Sequence, residues 1–264
     1  MPTVQSSQKS FRAEYAAHRA TEGRAHGPAE LLALPYLVSG PLARQWRVRA
    51  RTFDAFVRRV LIPEARTAAR PLAVLDVGAG NGWLAYRVAM AGCEATALDI
   101  RDDAVDGLGA ASHYLAATPA RFHRLAGSFD ALPLASRSFD VVVFNASLHY
   151  ATDLPLVLRE ACRVTRSGGR IAVLDSPFYA RGGHGEAMVA EKRRTAAARF
   201  GARAEALLAP PFIEFLTAAR LSDASAGLGL PWRRHRVRYP LWYESRGLIA
   251  RLRRRRALSR FDLW

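Results

Sequence analysis

The sequence predicts an α/β fold, a doubly wound and mostly parallel sheet of seven strands with a helical cover on its N-terminal side. Three observations carry that prediction. Val74-Leu75-Asp76-Val77 is a short, nearly all-apolar run, the pattern of a strand buried on both faces of a parallel sheet. Three glycines at alternate positions, Gly78, Gly80 and Gly82, follow at once, and a helical pattern runs from there to Ala91. Short β-branched or apolar runs then alternate with helical stretches as far as Leu174, as expected for parallel strands joined by crossover helices.

In chain order, residues 1–30 are polar and without sustained periodicity, so they are expected to form a loose arm or a frayed helix. Leu31 to Val38 and Arg44 to Leu61 read as helices; in the second, Trp46, Phe53, Phe56, Val57 and Val60 line one face. Residues 1–70 are therefore the expected arm and cover, and 71–264 the expected ligand-binding domain. The first strand and glycine turn lead into a helix with Leu84, Ala85, Val88 and Ala89 on one face and Gly92 just past its C-cap. Glu94 to Ile100 is the second strand, 103–116 a helix and Phe122 to Ala126 the third strand. The β-branched run Phe139 to Asn145 is the fourth. Asp153 caps a helix with the apolar stripe Leu154, Val157, Leu158, Ala161 and Val164; Ser167-Gly168-Gly169 ends it, and Ile171 to Leu174 is the fifth strand. Beyond lie expected helices at 186–200 and 211–220, a sixth strand at Leu228 to Tyr239, a basic helix at Arg246 to Arg256 and a seventh strand at Leu258 to Leu263.

The glycine turn selects a ligand. A dinucleotide fingerprint needs G-x-G-x-x-G, which would put its third glycine where this chain has Trp83; the spacing here is G-x-G-x-G. Asp99 ends the second strand and can accept two hydrogen bonds from a ribose diol, a group carried by NAD and by S-adenosylmethionine alike. NAD would bring a pyrophosphate to the turn, S-adenosylmethionine a sulfonium and an amino acid. With Asp76 beside the glycines, the cation is the better guest.

On these residues the chain resembles the class I S-adenosylmethionine-dependent methyltransferases. The resemblance covers roughly residues 71–177. It rests on Leu75-Asp76-Val77-Gly78-Ala79-Gly80-Asn81-Gly82, on Asp99, on Leu132-Pro133-Leu134 with Ser138-Phe139-Asp140, and on Arg163-Val164-Thr165-Arg166-Ser167-Gly168-Gly169-Arg170. It implies a Rossmann-like methyltransferase fold with S-adenosyl-L-methionine as cofactor. The implied cofactor residues are Asp76, Gly78, Ala79, Gly80, Asp99, Ile100, Ser128, Phe129 and Asn145. Relatives commonly place an acid where Ser128 stands, so Phe129 stacking on the purine and Asp130 turning inward are both open. The resemblance also implies that the N-terminal helices cover the cofactor, with Arg49 or Arg51 reaching the methionine carboxylate and Tyr36 and Trp46 forming a lid.

Methyl transfer asks mainly for positioning, and a base is needed only where the nucleophile loses a proton. His149, just after the fourth strand, is the expected catalytic residue, since an unperturbed imidazole titrates near neutral pH; Tyr150, Tyr179 and Asp175 stand behind it. A small-molecule acceptor is expected, because Asn145-Ala146-Ser147-Leu148 is not the Asn/Asp-Pro-Pro-aromatic motif of base N-methyltransferases and there is no cysteine pair for carbon-5 base methylation. Charge supplies a rival. Of the net +16, residues 1–70 hold 12 basic and 5 acidic side chains, 71–177 hold 9 and 11, and 178–264 hold 18 and 7. Arginine-rich flanks on an acidic core also suit an RNA methyltransferase, and a catalytically silent, cofactor-binding partner subunit is the third reading. Two separated cysteines point to a reduced, cytoplasmic protein without a structural metal. No apolar run approaches the ~18–20 residues of a membrane span.

Overall fold

A computed structural model of the chain describes residues 26–117, 121–201 and 204–264. Residues 1–25, most of the expected arm, lie outside the described residues. Five parallel strands form the sheet: β1 (Ala73–Val77), β2 (Glu94–Asp99), β3 (His123–Ala126), β4 (Phe139–Asn145) and β5 (Thr165–Leu174), in the order β3-β2-β1-β4-β5. The chain runs outward from β1 to β3 and then returns to the other side of β1. The carboxyl ends of β1 and β4 therefore flank a topological switch point, where open α/β sheets bind ligands.

Every residue of β1 is buried, as its apolar run requires. One face of the sheet is covered by the helix Trp83–Met90, by the N-terminal helices Pro28–Ala33 and Ala43–Phe56, and by the C-terminal segment through Val237, Tyr239 and Tyr243. The other is covered by the helix Leu154–Val164 with Ile213, Leu216 and Leu221. Asp153 caps Leu154–Val164 by accepting from the Leu156 N–H at 2.9 Å.

The cover is tied to the glycine-turn helix by ring packing. Trp46 and Phe53 meet Trp83 edge-on, with centroids 5.7 and 5.4 Å apart, and Arg87 donates to the carbonyls of Leu32 and Leu34. The predicted helix over Arg44 to Leu61 runs as Ala43–Phe56, a π turn at Val57–Leu61 and a helix Ile62–Thr67. Pro63 accounts for the π turn: it has no N–H for the Arg59 carbonyl and its ring crowds that carbonyl, so the ladder loosens by one residue and Ile62 N–H reaches Val57 O.

Two sequence landmarks become packing devices. Asp140 accepts from the Ala73 N–H at 2.8 Å, from both guanidinium nitrogens of Arg70 at 2.8 Å and from Arg166 at 2.9 Å, fastening β1, β4 and β5 together. Burial alone would raise its pKa, but Arg70, the Ala73 N–H and Arg166 overcome that and hold it at about 2. Arg163 donates to the carbonyls of Leu132 and Leu134 at 2.9 and 2.8 Å and pairs with Glu160, which accepts the Leu132 N–H. Leu132-Pro133-Leu134 and Arg163 are thus one cluster that pins the loop after β3.

The sheet has five strands, not the predicted seven. Residues 228–239 and 258–263 make only isolated antiparallel bridges among the described residues, His235 with Leu263 and Phe178 with Arg260, while Trp264 exchanges backbone hydrogen bonds with Val173 of β5. Pro231 and Pro240 have no N–H to offer a ladder, and the Val237 N–H goes to the Asp262 carboxylate instead of a neighbouring strand. The fifth strand also starts earlier than predicted. Ser167-Gly168-Gly169 lies inside it as a bulge, two steps along β4 matching five along β5. The stretch 103–116 is a turn followed by a 3-10 turn Leu108–Ala111 and a helix Ser112–Ala117. Residues 211–217 form no helix, with Glu214 at φ 65° and a tight turn from the Phe215 N–H to Ile213 O; the next helix is Ala218–Ala224, capped by Thr217. The basic helix is Arg246–Leu252, ending just before Arg254 at φ 49°.

Candidate functional site

A cavity of about 850 Å³ opens over the carboxyl ends of β1, β2, β4 and β5. The glycine turn forms one wall. Gly78 has φ +74°, and a Cβ there would collide with the side chain of Ser147, whose hydroxyl donates to Val77 O. Only glycine lets the loop after β4 come this close to the turn. The Gly80 N–H donates to Asp99 Oδ2 at 2.7 Å and the Arg101 N–H to Asp99 Oδ1 at 2.8 Å, so both ends of the carboxylate are oriented by backbone. Burial pushes the Asp99 carboxyl above its usual range, opposed by these two N–H groups and by the Arg101 charge.

Eight of the nine predicted cofactor residues line this cavity: Gly78, Ala79, Gly80, Asp99, Ile100, Ser128, Phe129 and Asn145. The ninth, Asp76, is buried under the turn and is not part of the lining. Burial, and then the charge of Asp99, push it up to about 8, with the Ala85 N–H at the start of the helix Trp83–Met90 acting the other way. Asp76 therefore sits beneath the turn, where burial favours its uncharged carboxyl. Asp130 also lines the cavity, as do Trp46 and Arg49 of the cover, the Arg49 guanidinium lying 5.0 Å from the Trp46 ring centroid. Tyr36 and Arg51 do not line it; the Tyr36 hydroxyl donates to Asp54 at 2.8 Å.

The far end is built by the loops after β4 and β5. His149 turns Nδ1 toward Ser176 Oγ at 3.4 Å and stacks at a tilt on Tyr150, with centroids 4.3 Å apart. Tyr150 meets Phe212 edge-on at 5.3 Å, and the Ile213 and Glu214 N–H groups donate to Ala151 O and His149 O at 2.9 and 3.0 Å. Lys192 on the long helix Gly182–Phe200 grips Glu214 at 2.7 Å, so this wall is braced from outside. Ala146 and Asp175, one residue past β4 and β5, have φ of 55° and 51°. Two non-glycine residues in the left-handed region face one cavity, the kind of place where backbone strain marks function. Asp175 is pushed up to about 6 by burial, against the pull of the Arg49 charge and the nearby Thr52 hydroxyl. That hydroxyl bonds Val48 O and the Tyr239 hydroxyl, and neither Asp175 oxygen has a hydrogen-bond partner among the described residues. Asn145 Oδ1 is likewise buried without one.

These features fit S-adenosylmethionine. Both oxygens of the Asp99 carboxylate at the cavity wall are oriented by backbone N–H groups, Gly78 and Gly80 put no side chain between the turn and a sulfonium amino acid, and the orphaned Asn145 oxygen can accept from an ammonium. Residues that the sequence reading passed over also line the cavity: Asn81, Asp106, Thr152 and Phe212. Asn81 carried a signal, an Asx residue two before a helix start, and its Oδ1 accepts the Trp83 N–H at 3.2 Å. Asp106 did too, since Asp103 takes the N–H groups of Val105 and Asp106 and turns the chain where a helix was expected.

Comparison with known proteins agrees with this geometry. Residues 75–173 match the methyltransferase domain family. Over 106 residues the chain is 37% identical to malonyl-(acyl-carrier protein) O-methyltransferase of Erwinia pyrifoliae, covering 39% of this chain and 38% of that protein. Over 144 residues it is 35% identical to the ubiquinone/menaquinone biosynthesis C-methyltransferase UbiE of Bradyrhizobium diazoefficiens, covering 53% and 52%. Residues 75–173 are a class I S-adenosylmethionine-dependent methyltransferase domain. The matches span about half or less of these relatives, so the shared methyltransferase domain, and not the acceptor-binding surroundings, is what they have in common. Among solved structures, 1,6-didemethyltoxoflavin-N1-methyltransferase of Burkholderia thailandensis, with 1,6-didemethyltoxoflavin and S-adenosylhomocysteine bound, superposes with a TM-score of 0.57. It is 15% identical and the match covers all of this chain and 90% of that one. The (4+2)-cyclase SpnF superposes equally well, TM-score 0.57, at 20% identity over 88% and 75% of the two chains. These likenesses show the Rossmann-like fold alone, and the cyclase shows that the fold does not dictate the chemistry.

Proposed function

We propose that this protein transfers the methyl group of S-adenosylmethionine to a small-molecule acceptor that loses a proton as it is methylated. The observation that carries the proposal is the continuity of one cavity. Its glycine-turn end presents Asp99, and its other end presents His149, Tyr150, Asp175 and Phe212. At about 850 Å³ it lies toward the top of the ~300–1,000 Å³ range of ligand pockets, which leaves room beside a nucleoside cofactor.

In this reading Asp99 accepts both ribose hydroxyls, Gly78, Ala79 and Gly80 cradle the amino-acid portion, and Asn145 accepts from its ammonium. Ile100, Ser128 and Phe129 border the adenine. The cofactor supplies an electrophilic methyl on a sulfonium. The chain's part is to align the acceptor, exclude water with the Trp46 and Phe212 walls, and receive the proton. His149, oriented by Ser176 at Nδ1, takes that proton at Nε2. Residues 1–70 serve as arm and cover and 71–264 as the catalytic unit, acting in the cytoplasm.

The test is to incubate the protein with methyl-labelled cofactor and cell extract and to fractionate the products. Label in the low-molecular-weight fraction supports the proposal. Label in RNA or protein overturns the acceptor class, and a protein that binds the cofactor but transfers nothing is the silent subunit instead.

A further inference from the structure

The C-terminal segment breaks the usual rule for a surface helix. The helix Arg246–Leu252 buries Ala250, 6% exposed, while Leu248, Ile249 and Leu252 are 61%, 42% and 75% exposed. At 3.6 residues per turn these three fall within roughly 100° of arc, on the side away from Ala250. Leu241, in the turn of helix just before, is 86% exposed. An aliphatic ridge therefore points outward. Arginine surrounds it: residues 229–264 hold eleven arginines against two acids, and those at 236, 238, 251, 253, 254 and 255 are exposed. The two acids, Glu244 and Asp262, are both engaged by Arg260.

The ridge stands next to the cavity. Tyr243, buried behind it, packs on Phe261 with centroids 6.4 Å apart, and Phe261 lines the cavity. Arg44 of the cover lies over Trp242 at 5.8 Å, joining the same surface to the helix that carries Trp46 and Arg49.

We propose that this surface docks the protein on an anionic lipid bilayer, with Leu241, Leu248, Ile249 and Leu252 in the boundary between headgroups and acyl chains and the arginines on lipid phosphates. Outward aliphatic side chains ringed by arginine are the composition of an interfacial anchor. Other occupants fit worse. A second copy would bring two arginine clusters together, and residues 1–25, with four basic and two acidic side chains, add positive charge to positive charge. RNA would use the arginines and leave the leucines in water. A protein partner would be held best by aromatic anchors, where this ridge is aliphatic. Docking here sets the cavity beside the membrane surface, suiting an amphiphilic acceptor.

Flotation of the purified full chain with vesicles tests this, using phosphatidylcholine with and without phosphatidylglycerol. Binding to the anionic vesicles and not to pure phosphatidylcholine is expected. Arg253→Gln, Arg254→Gln and Arg255→Gln together should weaken partitioning roughly 100-fold, from about five-fold per arginine near an anionic surface. Leu248→Ser with Leu252→Ser should weaken it at least ~10-fold, and Leu241→Ser, at the most exposed position, should weaken it without touching the fold. Affinity for S-adenosylhomocysteine should not change in any variant. No partitioning onto anionic vesicles overturns the proposal, as does wild-type partitioning by the leucine variants. Displacement from vesicles by RNA that the leucine variants bind as well as wild type would assign the surface to RNA. None of these outcomes depends on whether methyl transfer is detected.

Discussion

Asp99→Asn is the sharpest probe of the cofactor site, because the structure shows what each carboxylate oxygen does. Oδ2 takes the Gly80 N–H at 2.7 Å and Oδ1 the Arg101 N–H at 2.8 Å, and each oxygen has capacity for one more hydrogen bond at the cavity wall. An amide has one oxygen, so the variant can serve one backbone N–H and one ribose hydroxyl and must turn an NH₂ toward the others. One hydrogen bond to a charged acceptor is worth about 1.5–3 kcal/mol, and its loss should weaken S-adenosylhomocysteine binding roughly 10- to 150-fold. Calorimetry reads the constant and a thermal melt confirms folding. Removing either ribose hydroxyl from the ligand should cost wild type a similar factor, and for the hydroxyl that faces the new NH₂ the variant should lose much less, since that partner is already gone. A folded variant with an unchanged constant, or one that loses as much as wild type with both singly deoxygenated ligands, would refute the assignment.

Other consequences follow from named groups. His149→Ala should lower kcat by ~100- to 10,000-fold and remove the acidic limb of the pH profile if His149 receives the proton; a loss confined to KM with the limb intact would leave it an orienting role. Should the limb survive His149→Ala and disappear in Asp175→Asn, the base is Asp175, whose carboxyl is pushed up to about 6. Gly78→Ala forces a left-handed backbone on a residue with a Cβ, at about 1–2 kcal/mol, and adds overpacking against Ser147 of about 1–3 kcal/mol, so the melting temperature should drop by several degrees; an unshifted melt would contradict the geometry. Stability should bend with pH in two senses. Asp140, held at about 2, contributes stability that is present above pH ~4 and lost as pH falls through about 2, and Asp140→Asn should flatten that acid branch. Asp76, raised to about 8, binds more protons folded than unfolded between those values; its contribution shrinks as pH rises from ~4 through about 8, and Asp76→Asn should remove that slope.

The centre of the fold was legible because its signals are local. A strand buried on both faces must be apolar throughout, a turn at positive φ that lets Ser147 approach must be glycine, and an acid ending the next strand stands at the rim: Val74 to Val77, Gly78 and Asp99 each announced their place. The periphery was less legible because its partners are distant in sequence. Nothing near Val237 says that its N–H will go to Asp262, so a β-branched residue between arginines read as a strand. Thr217, not Pro211, starts the helix after the proline pair, a cap signal outweighed by apolar spacing. In the site, Asp175 was visible only as one of three candidates standing behind His149. Its left-handed backbone, its orphaned oxygens and the nearby Arg49 on another element are products of the fold.

The most direct measurement is a crystal structure of the full chain with S-adenosylhomocysteine. The ribose hydroxyls should lie on the two oxygens of Asp99, the amino-acid portion over Gly78 and Gly80 with its ammonium at Asn145, and the sulfur should face the space between His149 and Asp175. A ligand bound with its ribose away from Asp99, or with its sulfur turned from His149 and Asp175, would contradict this placement.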